Sequence, residues 1–236
     1  MTVSLREQPS PNQDDRPEQS PIDMIVLRTL PAPTALALLC DPASRQSAHY
    51  LVNGDGTVWR LVTETRRAWH AGPSWWRGRS AIDDRAIGIA LTAPPTTDGY
   101  PVLQLAVVCD LCLEILSRHQ VAPRDTVGQS DIAPERAEDP GATFDWEGLA
   151  RNGVGLWPAD VPDLGTDGAV RDAARLRDVR AALAMIGYRV APEGALDPAL
   201  SATLRAFQRH WRPESVNGQA DSGTLARLLA VARMVG

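Results

Sequence analysis

Several things are scarce in this chain. Its 236 residues include three cysteines, Cys40, Cys109 and Cys112. An odd, sparse set makes no even disulfide framework and fits a reducing compartment better than an oxidising one. Basic charge is in deficit: 24 basic residues stand against 29 acidic ones, a formal net charge of −5. A nucleic-acid binder would carry a basic patch, so that class is excluded. No apolar run approaches the length of a membrane span. The opening residues, MTVSLREQPSPNQDDRPEQSP, hold neither the apolar stretch of a signal peptide nor a lipidation motif, so the expected location is cytoplasmic. Aromatics are few and weighted to tryptophan, seven against three tyrosines and two phenylalanines. Trp59, Trp69, Trp75 and Trp76 crowd into one stretch, which suits a core or a groove facing sugar or peptide.

What is present is ordinary globular material, 44% hydrophobic, with room for one medium domain or two small ones. Residues 1–21 are polar and rich in Pro, Gln and Asp, and read as a mobile tail. DMIVLRTL, from Asp23 to Leu30, reads as a buried strand interrupted by Arg28. HYLV and TVWRLV, joined through Asn53-Gly54-Asp55-Gly56, read as a hairpin. AIGIALTA alternates Ile87, Ile89 and Leu91 with smaller residues, as in a further strand. Val102, Leu105, Ala106, Cys109, Leu113 and Leu116 then recur at helical spacing. Strands interleaved with helices predict an α/β domain over 22–158, with a mixed central sheet flanked by helices. Residues 159–168 read as a linker.

From 169 to 236 the pattern is purely helical. Leu176, Val179, Leu183 and Ile186 share a face, with Gly187 as a C-terminal cap. Asp197-Pro198 is a start signal before Leu200, Leu204, Phe207 and Trp211, and Asp221 opens a third helix carrying Leu225, Leu228 and Leu229. A small three-helix domain follows. Phe207, Trp211, Leu225 and Leu228 are its expected core, and the RPESVNGQADSGT loop, with Asn217, Gly218 and Asp221, its expected contact surface.

SAHYLV with GDGTVWRLV, then RAWHAGPSWWRGR, AIGIAL and GQSDIAPERAEDPG together resemble the zinc-dependent N-acetylmuramoyl-L-alanine amidases, whose fold is shared with the peptidoglycan recognition proteins. GYRV and FQRHWRPESVNGQADSGTLARL resemble the helical peptidoglycan-binding module that follows such amidases. The resemblance implies cleavage of the amide between the muramic acid lactyl group and L-alanine. A zinc ion held by two histidines and an aspartate, assisted by a glutamate and a lysine, supplies the chemistry in active members.

Carried onto this sequence, that pattern is nearly empty. Arg28 stands where the first histidine ends the opening strand, and Gln129 where the second stands in GQSD. The aspartate of the DPG turn is present as Asp139. Ala137 occupies the lysine position and Ala90 the glutamate position. A guanidinium cannot bind zinc because it stays protonated. His49 and His70 fall in motifs where the family does not use them as ligands; His119 follows a helix and His210 lies in the second domain. The Cys109/Cys112 pair falls in a helical apolar pattern and reads as core.

The leading expectation is therefore a catalytically impaired, amidase-like protein without zinc. It binds peptidoglycan fragments or sacculus through Trp69, His70, Trp75, Arg77, Arg28 and Asp139, the last two as a bidentate ion pair, with Arg79 beside them. The alternatives are an active amidase and a pseudoenzyme whose pocket supports a protein partner.

Overall fold

The computed structural model describes residues 5–18, 20–93, 99–162 and 164–236. Among the described residues there are eight strands: β1 (Leu5–Glu7), β2 (Gln13–Asp15), β3 (Met24–Leu30), β4 (Tyr50–Val52), β5 (Val58–Arg60), β6 (Arg66–Ala68), β7 (Ala86–Thr92) and β8 (Thr126–Gly128). The helices are α1 (Ala35–Cys40), α2 (Val102–Arg118), α3 (Gln129–Ile132), α4 (Trp146–Arg151), α5 (Ala173–Ile186), α6 (Pro198–Trp211) and α7 (Ser222–Val235). The main sheet runs in the order β1-β5-β4-β7-β3-β8, and β2 pairs with β6 in a second, two-stranded sheet. Four of the five pairings in the main sheet are parallel; the exception is the β4/β5 hairpin, joined at the glycine-rich turn.

Both faces of the sheet are covered, which is why β7 is buried along its whole length. Ile25, Leu27, Ile87, Ile89 and Leu91 point to one face and meet Val108, Leu111, Cys112 and Ile115 of α2. Met24, Val26 and Ala86 point to the other and join the core of the C-terminal helices. Ala90 belongs to a third cluster with Leu30, Leu51 and the α1 residues Ala35 and Leu39. The buried stripe of α2 is rotated from the one expected: Val102 is 84% exposed and Leu113 40%, while Gln104 is buried and donates to Val52 O and Thr92 O. Cys112 is fully buried and burial pushes its thiol upward, as a core cysteine.

The mobile tail expected over residues 1–21 is corrected from Leu5 onward. β1 adds to the sheet edge beside β5, and β2 pairs antiparallel to β6, where Asp14 takes both a guanidinium bond from Arg67 and the indole N–H of Trp69. Asn12 is buried and donates to Asp41 O and Gln46 O. Arg16 threads inward: its guanidinium donates to the carbonyls of Glu64, Asp83, Asp84 and Ala86 and meets His49 Nε2 at 2.9 Å. Polar composition read as disorder, whereas docking here is by hydrogen bonds rather than apolar burial.

The three C-terminal helices form as their caps dictate. Asp172, Asp197 and Asp221 accept the N–H groups of Arg175, Leu200 and Thr224 at the three helix starts, and Gly187 ends α5 at φ 146°. In the expected contact loop Asn217 is exposed, whereas Gly218 and Asp221 are buried. Asn217 and Gly218 bond to Gln208, and buried Asp221 holds Arg212. The 159–168 segment has no helix or strand among its described residues and is tied to the start of α7 through Gly165 O and Asp167 O. The helices also share a core with the first domain, and α6 packs directly on α3 and α4.

Glu64 joins the hairpin to the end of α2. It accepts from Tyr50 OH and Arg118 Nη2, both at 2.7 Å, and lies 2.6 Å from His119 Nε2. Burial raises its pKa, but these donors outweigh it and leave the carboxyl at about 2 against an ordinary 4.5. A folded-state pKa below the unfolded one stabilises the fold above pH 4.5, and that contribution is lost as pH falls towards about 2. Urea unfolding across that window is expected to show falling stability in the natural chain and a flatter profile in Glu64→Gln.

Candidate functional site

In open α/β sheets ligands collect beyond the carboxyl ends of the parallel strands. β3 and β8 pair up to Leu27↔Gly128, so Arg28 and Gln129 stand side by side just past the last paired position. The turn after α3 brings Asp139 to the same place, where its Oδ2 accepts the Thr29 N–H at 2.9 Å. Tyr100 holds this turn, bonding to Pro140 O at 2.8 Å and Thr29 Oγ1 at 2.6 Å. The result is a cavity of about 420 Å³ whose walls include Arg28, Gln129, Asp139, Ala137, Trp69 and His70. Residues far apart in sequence thus converge.

The predicted Arg28–Asp139 ion pair is not formed. Arg28 is 6% exposed, so it does not reach out to solvent either. Its Nη2 donates to Gln46 Oε1 at 2.6 Å and its Nη1 to His70 O at 3.2 Å. Asp139 acts on it through space only, without hydrogen-bond contact among the described residues. The reason is local: the Asp139 carboxylate is taken by the Thr29 backbone, while two neutral acceptors lie nearer the guanidinium. Burial pushes the Asp139 carboxyl above its usual range, and burial lowers Arg28.

Gln129 Nε2 donates to the same carbonyl, His70 O, at 3.3 Å. Both replaced ligand positions therefore turn N–H groups toward one point. A zinc ligand must instead offer a lone pair. Arg28 has none, and the neutral carboxamide of Gln129 is a poor zinc ligand, so Asp139 is the one strong zinc ligand at the three positions. Among the described residues no three His, Cys, Asp or Glu side chains converge in a ligand set. These donors do not fit a catalytic zinc.

His70 is part of the cavity floor. Its ring lies flat against Gly88, where any Cβ would come within 2.4 Å of the imidazole, so glycine is required there. His70 N and Ala71 N both donate to Asp83 Oδ1, at 2.9 and 2.7 Å, and burial depresses the imidazole pKa. His49 packs edge-on against it at 5.8 Å, and burial likewise lowers its pKa. Trp69 is half-buried with its N–H spent on Asp14, which leaves the ring as part of the cavity wall.

Trp75 and Arg77 lie outside this cavity. Trp75 lines an adjoining groove reached past Gly72 and Arg136, under the Arg189 guanidinium at 5.2 Å. Arg77 pairs with Asp125 at 2.6 Å and its N–H bonds to Gly187 O, a junction with the helical domain. Arg79 is exposed and faces Asp23 at 3.9 Å. Ala90 is fully buried in the sheet, opposite Arg28 in register, and does not reach the cavity. Sequence reasoning missed Arg45, Gln46, Asp83 and Arg136, all of which line it. Arg136 was in view as the sole arginine of the acidic GQSDIAPERAEDPG loop; the others carry no sequence signal.

Comparison with known proteins bears on this geometry. The model of the N-acetylmuramoyl-L-alanine amidase family matches residues 18–142, and that of a peptidoglycan binding domain matches 172–228. The N-acetylmuramoyl-L-alanine amidase AmiD of Escherichia coli is 36% identical over 215 residues, covering 82% of this chain and 75% of that protein. The 1,6-anhydro-N-acetylmuramyl-L-alanine amidase AmpD of Enterobacter cloacae is 32% identical over 61% of this chain and 87% of its own. Among solved structures, E. coli AmiD in complex with the substrate anhydro-N-acetylmuramic acid-L-Ala-D-gamma-Glu-L-Lys superposes with a TM-score of 0.80 at 31% identity, covering 94% of this chain and 93% of that one. AmpDh3 from Pseudomonas aeruginosa in complex with anhydromuramic pentapeptide gives 0.77 at 30% identity, over 90% and 92%. With the amidase sheet, the convergent cavity and the helical module all in place, the chain belongs to the N-acetylmuramoyl-L-alanine amidase family.

Proposed function

We propose that this chain is a non-hydrolysing member of that family, which retains peptidoglycan fragments in the Arg28/Gln129/Asp139 cavity. The observation that carries the reading is that Arg28 and Gln129 both donate to His70 O, at 3.2 and 3.3 Å. Zinc-dependent amide hydrolysis needs three protein ligands and an open position for water. Of the three ligand positions, Asp139 alone offers a carboxylate. The assisting groups are absent as well: Ala137 has no ionisable atom and Ala90 is sealed in the sheet. The chain contains no lysine at all, so none is recruited from elsewhere.

What the cavity keeps is suited to recognition. Trp69 offers an aromatic wall, Gln46 and Gln129 offer amides, and Arg45 and Arg136 stand with Arg28 for anionic groups. The muropeptide ligands of the AmiD and AmpDh3 complexes, and the peptidoglycan binding domain matched at 172–228, support a ligand of that class here.

Titration of anhydro-N-acetylmuramic acid-L-Ala-D-gamma-Glu-L-Lys into the full chain, followed by tryptophan fluorescence, is expected to give saturable binding. Absence of saturable binding to this muropeptide, to its peptide-free sugar and to purified sacculus would overturn the reading.

A further inference from the structure

Successive side chains of a strand point to opposite faces, and around β2 this alternation sorts two sets of contacts. Asp15 points outward, its side chain 89% exposed, and pairs with Arg66. Asn12, Asp14 and Arg16 turn the other way. Asn12 Nδ2 donates to Gln46 O at 2.9 Å, Asp14 Oδ1 accepts the Trp69 indole N–H at 3.1 Å, and Arg16 Nη1 donates to Asp83 O at 3.1 Å. Gln46, Trp69 and Asp83 all line the cavity, whereas none of the three residues holding them does. One short segment thus grips three wall residues from behind.

Each grip is passed on into the cavity. Gln46 Oε1 holds Arg28 Nη2 at 2.6 Å, and Asp83 Oδ1 holds the N–H groups of His70 and Ala71. Ser47 Oγ donates to Asn12 O at 2.6 Å and accepts the Trp69 N–H at 2.8 Å, which fixes the Trp69 backbone as well as its ring. The segment itself is held by polar contacts: no residue from 5 to 16 joins an apolar cluster. A stretch docked by hydrogen bonds alone opens at a lower free energy than the sheet core beneath it.

We infer that Asn12, Asp14 and Arg16 are positioning residues for the cavity, and that the N-terminal segment is its control element. Docked, the segment sets Gln46, Trp69 and Asp83 where an occupant meets them; undocked, it leaves that side of the cavity unbraced. Coupling between two sites is reciprocal. A ligand that packs against these walls therefore holds the segment down, and whatever lifts the segment weakens the ligand. The coupling to a ligand rests on reading the cavity as a binding site; the bracing of its wall does not.

The test is amide hydrogen exchange, read by mass spectrometry, on the full chain and on Asp14→Ala, Asp14→Asn and Asp15→Ala. The Asp14 side chain is 40% exposed, so replacing it leaves the apolar core intact. Asp14→Ala is expected to speed exchange over residues 69–71, while Asp14→Asn, which keeps an acceptor for the indole, stays close to the natural chain. Asp15→Ala removes an ion pair from the opposite face of the same strand and is expected to leave 69–71 unchanged. Saturation with anhydro-N-acetylmuramic acid-L-Ala-D-gamma-Glu-L-Lys is expected to slow exchange over residues 12–16, and Asp14→Ala to weaken its binding about tenfold, the size of one lost hydrogen bond. Unchanged exchange over 69–71 in Asp14→Ala, or an equal rise in Asp15→Ala, would overturn the brace. Bound muropeptide that leaves residues 12–16 exchanging as before would overturn the coupling. Faster exchange over 69–71 in Asp14→Ala, with no muropeptide bound by the natural chain, would uphold the brace and remove the binding reading instead.

Discussion

A chain carrying Arg28→His and Gln129→His together is expected to take up about one zinc ion, where the natural chain takes up none. Residues 28 and 129 are neighbours at the ends of paired parallel strands, and both side chains already reach a common point at His70 O. Asp139 lines the same cavity. Two imidazoles and this carboxylate restore a three-ligand set with an open fourth position, and a neutral imidazole supplies the lone pair that Arg28 cannot. Each single substitution leaves at most two ligands and is expected to retain far less metal after desalting. Elemental analysis of the four proteins reads the result directly. One zinc per natural chain would show that other residues hold the metal; no zinc in the double variant would show that the cavity has lost more than its ligands.

The second large effect concerns the helical module. A fragment ending at Pro158 is expected to lose cooperative folding. The module covers the sheet face formed by Met24, Val26 and Val127, together with Trp76, Ile82 and Ile132. Trp76 packs on Tyr188 at 5.1 Å, and the Gly187 backbone lies so close that a Cβ would meet the indole at 2.6 Å. His210 is stacked between Trp146 at 3.9 Å and Trp211 at 3.6 Å, and its Nδ1 lies 2.7 Å from buried Asp131, which also takes Tyr188 OH. Each large apolar side chain uncovered costs about 1.5–3 kcal/mol. Domains of this size have about 5–15 kcal/mol in total, so losing several such contacts exceeds the margin. Near-ultraviolet circular dichroism and thermal melting of the fragment check this. A sharp transition within a few degrees of the full chain would contradict it.

Much of the fold could be read from sequence because its signals are local. The β4/β5 hairpin follows from a glycine turn between apolar runs, and α6 from Asp197-Pro198 followed by an apolar stripe. Contacts made across the chain were less visible. The acidic and amide residues of 5–16 gave no apolar period, yet Arg16 finds four carbonyls from Glu64 to Ala86 that no pattern announces. The fused core was hidden for a related reason. Trp211 packs on Phe207 in its own bundle and also donates its indole N–H to Leu156 O of the first domain, and helical periodicity cannot distinguish those partners.

The same limit applied at the site. The replaced ligand positions were readable one by one, and the structure brings Arg28, Gln129, Ala137 and Asp139 to one cavity. The partner of Arg28 was not readable. Charge alone favoured Asp139, but distance and the competing Thr29 N–H decided for Gln46 and a backbone carbonyl. Trp75 and Arg77 were grouped with Trp69 by sequence proximity. The chain turns after Gly72 and carries them to the helical domain instead.

The most direct measurement is mass spectrometry of anhydro-N-acetylmuramic acid-L-Ala-D-gamma-Glu-L-Lys after prolonged incubation with an equimolar amount of the zinc-supplemented natural chain. All of the muropeptide is expected to be recovered intact. Time-dependent appearance of the free sugar acid and the tripeptide, absent from a protein-free control, would contradict it.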